Sequence, residues 1–130
     1  MVQINFFIVA DKAEVKMGKL SIEGIFDSIN SFNFPAKHKS LVVVINFEID
    51  PGKHSHYFKV KHQDGTEAMQ SSVYEFESGL NQKRHQFLHT LNGLLLLKEG
   101  KYIIEAYLDG ILLGETYFIA KNISQTTSYA

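Results

Sequence analysis

The stretch Lys101-Tyr102-Ile103-Ile104-Glu105-Ala106-Tyr107-Leu108-Asp109-Gly110-Ile111-Leu112-Leu113-Gly114-Glu115-Thr116-Tyr117-Phe118-Ile119-Ala120 decides the fold class. Two runs rich in β-branched and aromatic residues flank Asp109-Gly110, a dipeptide that accepts the positive φ angles of a type I′ turn. The stretch is therefore a β-hairpin with Leu108 opposite Ile111. In unbroken register Ala106 meets Leu113, Ile104 meets Glu115 and Tyr102 meets Tyr117, which makes one nearly complete core face. The reverse face then carries Ile103, Tyr107, Leu112 and Phe118 among Lys101, Glu105 and Thr116. Four large apolar groups exceed scattered exposure, so these four are the expected interface residues, for self-association or a protein partner. Cover by a loop or by the tail is the competing reading.

Outward from the hairpin the same period-two alternation recurs in short blocks separated by Gly, Pro, Asn or Asp. Leu41, Val43, Ile45, Phe47 and Ile49 form the cleanest strand, with Asn46, Glu48 and Asp50 on its other face and Pro51-Gly52 ending it. Val2, Ile4, Phe6 and Ile8 mark a first strand, and Leu20, Ile22 and Gly24-Ile25-Phe26 a second, with Gly24 suited to a bulge. His54 to His62 alternates before an Asp64-Gly65 turn, and a further strand holds Val73, Glu75 and Glu77. From Lys83 to Leu97 the pattern serves strand or helix, although Asn92-Gly93 weakens the helix. Seven or eight short strands without a repeat period predict one all-β domain over residues 1–120. The architecture is a single antiparallel β-sandwich, immunoglobulin-like or C2-like, followed by a polar tail at 121–130.

Bulk properties agree with one ordinary core. The chain has 130 residues, 45% of them hydrophobic and 21% charged, and its net charge of -1 supplies no field to draw in nucleic acid or an anionic membrane. The absence of cysteine excludes disulfides, thiolate metal sites and cysteine nucleophiles. Phe6-Phe7-Ile8-Val9-Ala10 is too short and lacks the basic flank of a signal peptide, and no run approaches a membrane span, so a cytoplasmic location is expected.

Ala10-Asp11-Lys12-Ala13-Glu14-Val15, Gly18-Lys19-Leu20-Ser21-Ile22-Glu23-Gly24-Ile25-Phe26-Asp27 and Phe34-Pro35-Ala36 with His38 resemble a family of uncharacterised bacterial proteins. Leu91-Asn92-Gly93-Leu94, Glu99-Gly100-Lys101-Tyr102 and Leu108-Asp109-Gly110 with Leu113-Gly114 resemble its closing strands. The resemblance implies a small β-sandwich of unknown function, and it brings no catalytic residues.

Six histidines invite a metal reading. His54 and His56 share a strand face with His62 further along, and His85 and His89 are about 13 Å apart on a strand or one turn apart on a helix. Two converging imidazoles fall short of the three or four ligands zinc requires, so no metal and no other cofactor is expected. Asp11, Asp27, Asp50, Asp64 and Asp109 sit singly where turns fall and do not cluster for calcium. No nucleophile elbow or phosphate loop occurs, and an enzyme is not expected. Lys53, Lys59, Lys61 and His62 with Tyr57 form a small basic and aromatic face, read more simply as an edge strand guarded by lysines than as a nucleic-acid site. The sequence thus points to a non-catalytic binding or assembly module that self-associates through its C-terminal hairpin. The alternatives are a small metal-dependent hydrolase using His54, His56 and a loop carboxylate, or an accessory carbohydrate- or peptide-binding module.

Overall fold

The computed structural model describes residues 2–123. Ten strands follow in order: β1 (Gln3–Lys16), β2 (Lys19–Ile25), β3 (Ser28–Ser31), β4 (Ala36–Glu48), β5 (Gly52–His62), β6 (Glu67–Gln70), β7 (Tyr74–Ser78), β8 (Arg84–Leu96), β9 (Gly100–Leu108) and β10 (Ile111–Asn122). They form a four-stranded sheet, β2-β1-β4-β8, and a six-stranded sheet in which β3-β10-β9-β5 ends on β6 and β7, both paired with β5. The expected sandwich is present, with ten strands where seven or eight were expected. The ambiguous segment is a strand, β8, antiparallel to β4 from Ala36 opposite Leu96 to Glu48 opposite Arg84. β10 reaches Asn122 and the Ile123 N–H donates to the Ser31 carbonyl, so residues 121–123 of the expected tail pair with β3, while residues 124–130 lie outside the described residues.

The core lies between the sheets. From β4 it takes Leu41, Val43, Ile45 and Phe47, with Ile49 just beyond the strand, and from the facing sheet Phe58, Val60, Tyr102, Ile104, Ala106 and Leu108. Strand β4 is the centre of its sheet and is buried on both faces. Its even-numbered Val42 and Val44 join Ala10 in a second cluster, against which Phe6, Ala13, Leu20, Ile22 and Leu88 pack. Burial from both sides explains why Leu41 to Phe47 reads as an almost continuous apolar run.

Three register shifts occur among the described strands, one of them where β5 meets β6 between Val60 and Lys61. The other two change which residues of the long strands β1 and β10 share a face. In β1 the register shifts between Ile4 and Phe6, so Val2, Ile4, Phe7 and Val9 meet the main core while Phe6 turns to the second cluster. The uniform Val2, Ile4, Phe6, Ile8 face is thereby corrected. In β10 the register shifts between Leu112 and Gly114. The turn itself is as expected, with Leu108 opposite Ile111 and positive φ at both Asp109 and Gly110. Beyond it Ala106 pairs with Gly114, Ile104 with Thr116 and Tyr102 with Phe118. The extra residue at Leu113 inverts the alternation of everything after it. Phe118 is therefore fully buried and stacks on Tyr102, with ring centroids 5.5 Å apart, and Tyr117 takes the outward position. Of the four expected interface residues, Ile103, Tyr107 and Leu112 lie on the outer face and Phe118 does not.

Candidate functional site

The outer face of the six-stranded sheet is built by the odd residues of β5 and β9 and, past the bulge, by Glu115 and Tyr117 of β10. Tyr57 and Tyr107 are cross-strand partners whose rings stack in parallel, 4.6 Å between centroids. Tyr107 donates its hydroxyl proton to Glu105 at 3.1 Å, and Lys61 closes on the same carboxylate at 3.0 Å. Lys59 lies over the Tyr107 ring at 5.3 Å, and Lys101 over Tyr117 at 4.4 Å. Leu112 is 45% exposed and Tyr117 50%. This face carries a stacked tyrosine pair and two exposed apolar side chains bordered by charges of both signs.

The lysines are consequently not guards on a sheet edge. β5 is an interior strand, flanked by β9 on one side and by β6 and β7 on the other. The expected basic face is also reduced, since Lys61 is paired with Glu105 and His62 is buried on the opposite side of the sheet. His62 Nδ1 accepts from the Asp64 N–H at 3.1 Å and its Nε2–H donates to the Glu99 carbonyl at 2.9 Å. It is a loop anchor.

The other histidines gather at the opposite end of β5. His54 Nδ1 is 2.8 Å from an Asp109 carboxylate oxygen, and its Nε2 is 2.6 Å from the Asp50 carbonyl. Both partners are acceptors, so both ring nitrogens donate and the imidazolium is favoured. The hydrogen bond to Asp109, followed by that to Asp50, raises the His54 pKa above 6.5. An imidazolium held between two acceptors has no lone pair with which to take a proton from a substrate. We expect a titration of the His54 ring proton by NMR to show this raised pKa and Asp109→Asn to lower it. A midpoint unmoved by that change would contradict the assignment. By linkage the stability His54 contributes is fully present below pH 6.5 and is lost as pH rises through its folded value.

His56, two residues on, is fully buried and faces His89 of β8 across the sandwich, Nε2 to Nε2 at 2.9 Å. A zinc ion held between them would need each nitrogen about 2.0 Å from the metal, which puts tetrahedral ligand atoms about 3.3 Å apart. The contact is a hydrogen bond. Phe47, Phe58, Phe87 and Tyr74 surround the pair, with Phe87 and His89 nearly parallel at 5.3 Å. Burial in this apolar setting lowers the His56 pKa and takes that of His89 to about 4. His85, stacked on Phe76 at 4.1 Å, is lowered by burial and by the charge on His54. Among the described residues no three metal-ligating side chains converge. His54 and His56, grouped by the sequence reading, have separate partners, and the His56–His89 pair joins two segments the sequence left unconnected. Its signal was the matching spacing of His85, Phe87 and His89, which share a face once the segment is a strand.

The strand order defines the class of protein. Counting β1, β4 and β8 as A, B and E and β10, β9 and β5 as G, F and C gives the A-B-E and G-F-C order of an immunoglobulin-like sandwich, with no D strand beyond β8 among the described residues and without the cysteine pair or tryptophan. The chain belongs to a family of unknown function, DUF6941, whose model matches residues 5–121. It is similar to the Pseudomonas fluorescens alkylpurine DNA glycosylase AlkC bound to DNA containing an abasic site analogue, at 12% identity and a TM-score of 0.57. That match covers 92% of this chain and 30% of the glycosylase, so the chain spans about three tenths of that protein's length. It also matches an immunoglobulin-like protein from Pseudomonas aeruginosa at 11% identity and a TM-score of 0.39, covering 93% of this chain and 97% of that one. At 12% identity the likeness to the glycosylase shows the fold alone. No curated protein matches the chain in sequence. Among the described residues no helix is long and apolar enough to cross a membrane.

Proposed function

We propose that the domain is a non-catalytic binding module that pairs with a second copy of itself through the outer face of the six-stranded sheet. The observation that carries this reading is the Tyr57–Tyr107 stack bordered by exposed Leu112 and Tyr117 on one continuous face. Rings already stacked in the monomer lose little side-chain entropy when a partner arrives, and aromatic residues dominate interface energetics. Lys59, Lys61 and Lys101 alternate here with Glu67, Glu105 and Glu115. A two-fold operator brings a face against its own copy, so a face must carry both signs to complement itself. A polyanion would meet the acidic residues with equal frequency, which is why nucleic acid is the less suitable occupant.

Light scattering tests the reading. We expect the wild-type mass to rise toward that of a dimer with concentration. Leu112→Glu with Tyr117→Glu should remain a monomer with an unchanged circular-dichroism melt, because neither side chain faces the core. A wild-type monomer at millimolar concentration, or a double variant that still dimerises, would refute it.

A further inference from the structure

The side of the sandwich where both sheets end carries a feature separate from this outer face. β8 is the last strand of its sheet, while β6 and β7 meet β5 in succession with Ser71–Val73 between them. A groove of about 420 Å³ opens there, with Met69, Tyr74, Phe87 and His89 on its walls together with the polar Gln70, Ser71, Ser72 and Thr90. That volume lies within the range that small-ligand sites occupy. His89 sits in the groove beside the aromatic rings of Phe58, Tyr74 and Phe87 and is only 7% exposed.

Its hydrogen-bonding state follows from a chain of contacts that starts at Tyr107. The Tyr107 carbonyl can only accept, so His56 Nδ1, 2.8 Å away, carries a proton. In a neutral ring His56 Nε2 is then an acceptor, and His89 Nε2–H must be the donor of the 2.9 Å bond between them. The Nδ1 of His89 is left as a lone pair. It has no hydrogen-bond partner among the described residues, and it is not one of the buried atoms closed off from solvent. The groove is its outlet. An acceptor beside the Phe58, Phe87 and Tyr74 rings, without a protein donor, is a site for a ligand that supplies one.

We propose that this groove binds a small uncharged aromatic ring bearing one O–H or N–H donor, of the phenol or indole type. The ring packs on Phe87 and Tyr74, and its donor bonds His89 Nδ1. A carboxylate would turn lone pairs toward a lone pair. The ring can come as a free small molecule or as a Tyr or Trp side chain of an extended peptide beside β8, whose alternate backbone groups point away from β4.

Nuclear magnetic resonance on the full chain tests this with phenol, indole, anisole, N-acetyltyrosinamide and the blocked pentapeptide Thr-Val-Tyr-Val-Thr. Phenol and indole should shift the His89 Nδ1 resonance and the Tyr74 and Phe87 ring signals. Anisole, which keeps the ring but has no donor, should bind about tenfold more weakly, the worth of one hydrogen bond. A pentapeptide that binds more tightly than N-acetyltyrosinamide and protects β8 amides identifies the source as a peptide. Equal affinity identifies a free small molecule. The Leu112→Glu, Tyr117→Glu variant should bind phenol like the wild type, which separates this site from self-association. Because His89→Phe strands His56 and can unfold the domain, the phenol-to-anisole ratio on the unaltered chain is decisive. A ratio near one, or no response of His89 to millimolar phenol, overturns the proposal.

Discussion

Phe118→Ala is expected to lower stability by about 3 to 5 kcal/mol, the usual cost of removing a fully buried phenylalanine. Phe118 has no exposed surface, lies cross-strand from Tyr102 with the rings stacked, and meets the edge of Phe26 at 6.4 Å. Truncation would leave a hole bounded by two other rings, which cannot close it without moving the strands that carry them. Its neighbour is the control. Tyr117 is half exposed, with the Lys101 ammonium over its ring, so Tyr117→Ala should cost about 1 kcal/mol or less. Urea unfolding midpoints separate the two. In unbroken hairpin register the order would be reversed, with Tyr117 in the core and Phe118 outside, so similar losses at both positions, or the larger loss at Tyr117, would disprove the bulge.

That bulge also marks how far the sequence could be read. The Asp109-Gly110 turn was legible because only a few dipeptides accept two positive φ angles, and its strands were legible from composition. What alternation cannot reveal is an inserted residue, since a single extra position exchanges the faces of all that follow. Gly114 was the available sign, as a glycine inside a strand often marks a bulge or a close approach. A Cβ there would lie 3.0 Å from Ile4 Cδ1, so the glycine admits the side chain from β1. In β1 no glycine announces the shift at Asn5, and the inversion between Ile4 and Phe7 was hidden. β4 was read correctly on its core side, Leu41 to Ile49, because it contains no such insertion.

The histidines show a different limit. His54 and His56 are adjacent in any strand reading, but their chemistry is set by Asp109, Asp50 and His89, which arrive from a turn, a loop and the opposite sheet. Sequence spacing fixes which side chains share a face and is silent about what faces them across a sandwich. The groove beside His89 depends on the same missing information, because it exists only where the ends of two sheets come together.

Acidification should weaken the domain between pH 6.5 and about 4. Both sheets meet at the His56–His89 pair, and burial holds His89 at about 4 against 6.5 in an unfolded chain. Above pH 6.5 the ring is neutral in both states and contributes no pH dependence. Below it the unfolded chain takes up a proton that the native chain refuses, so stability declines as pH falls and the decline levels off near the folded value. At about 1.4 kcal/mol per unit this interval amounts to roughly 3 kcal/mol from His89, and His56, lowered by the same burial, adds to it. His54 does not offset the loss, because its contribution is already complete below pH 6.5. Urea titrations through this interval on the wild type and on His89→Gln isolate the effect. The glutamine amide can still donate to His56 Nε2 but cannot titrate, so its stability should fall much less steeply with acid. Parallel curves for the two proteins would mean that His89 is protonated as readily in the fold as outside it, and that the aromatic enclosure of Phe58, Phe87 and Tyr74 does not exclude charge.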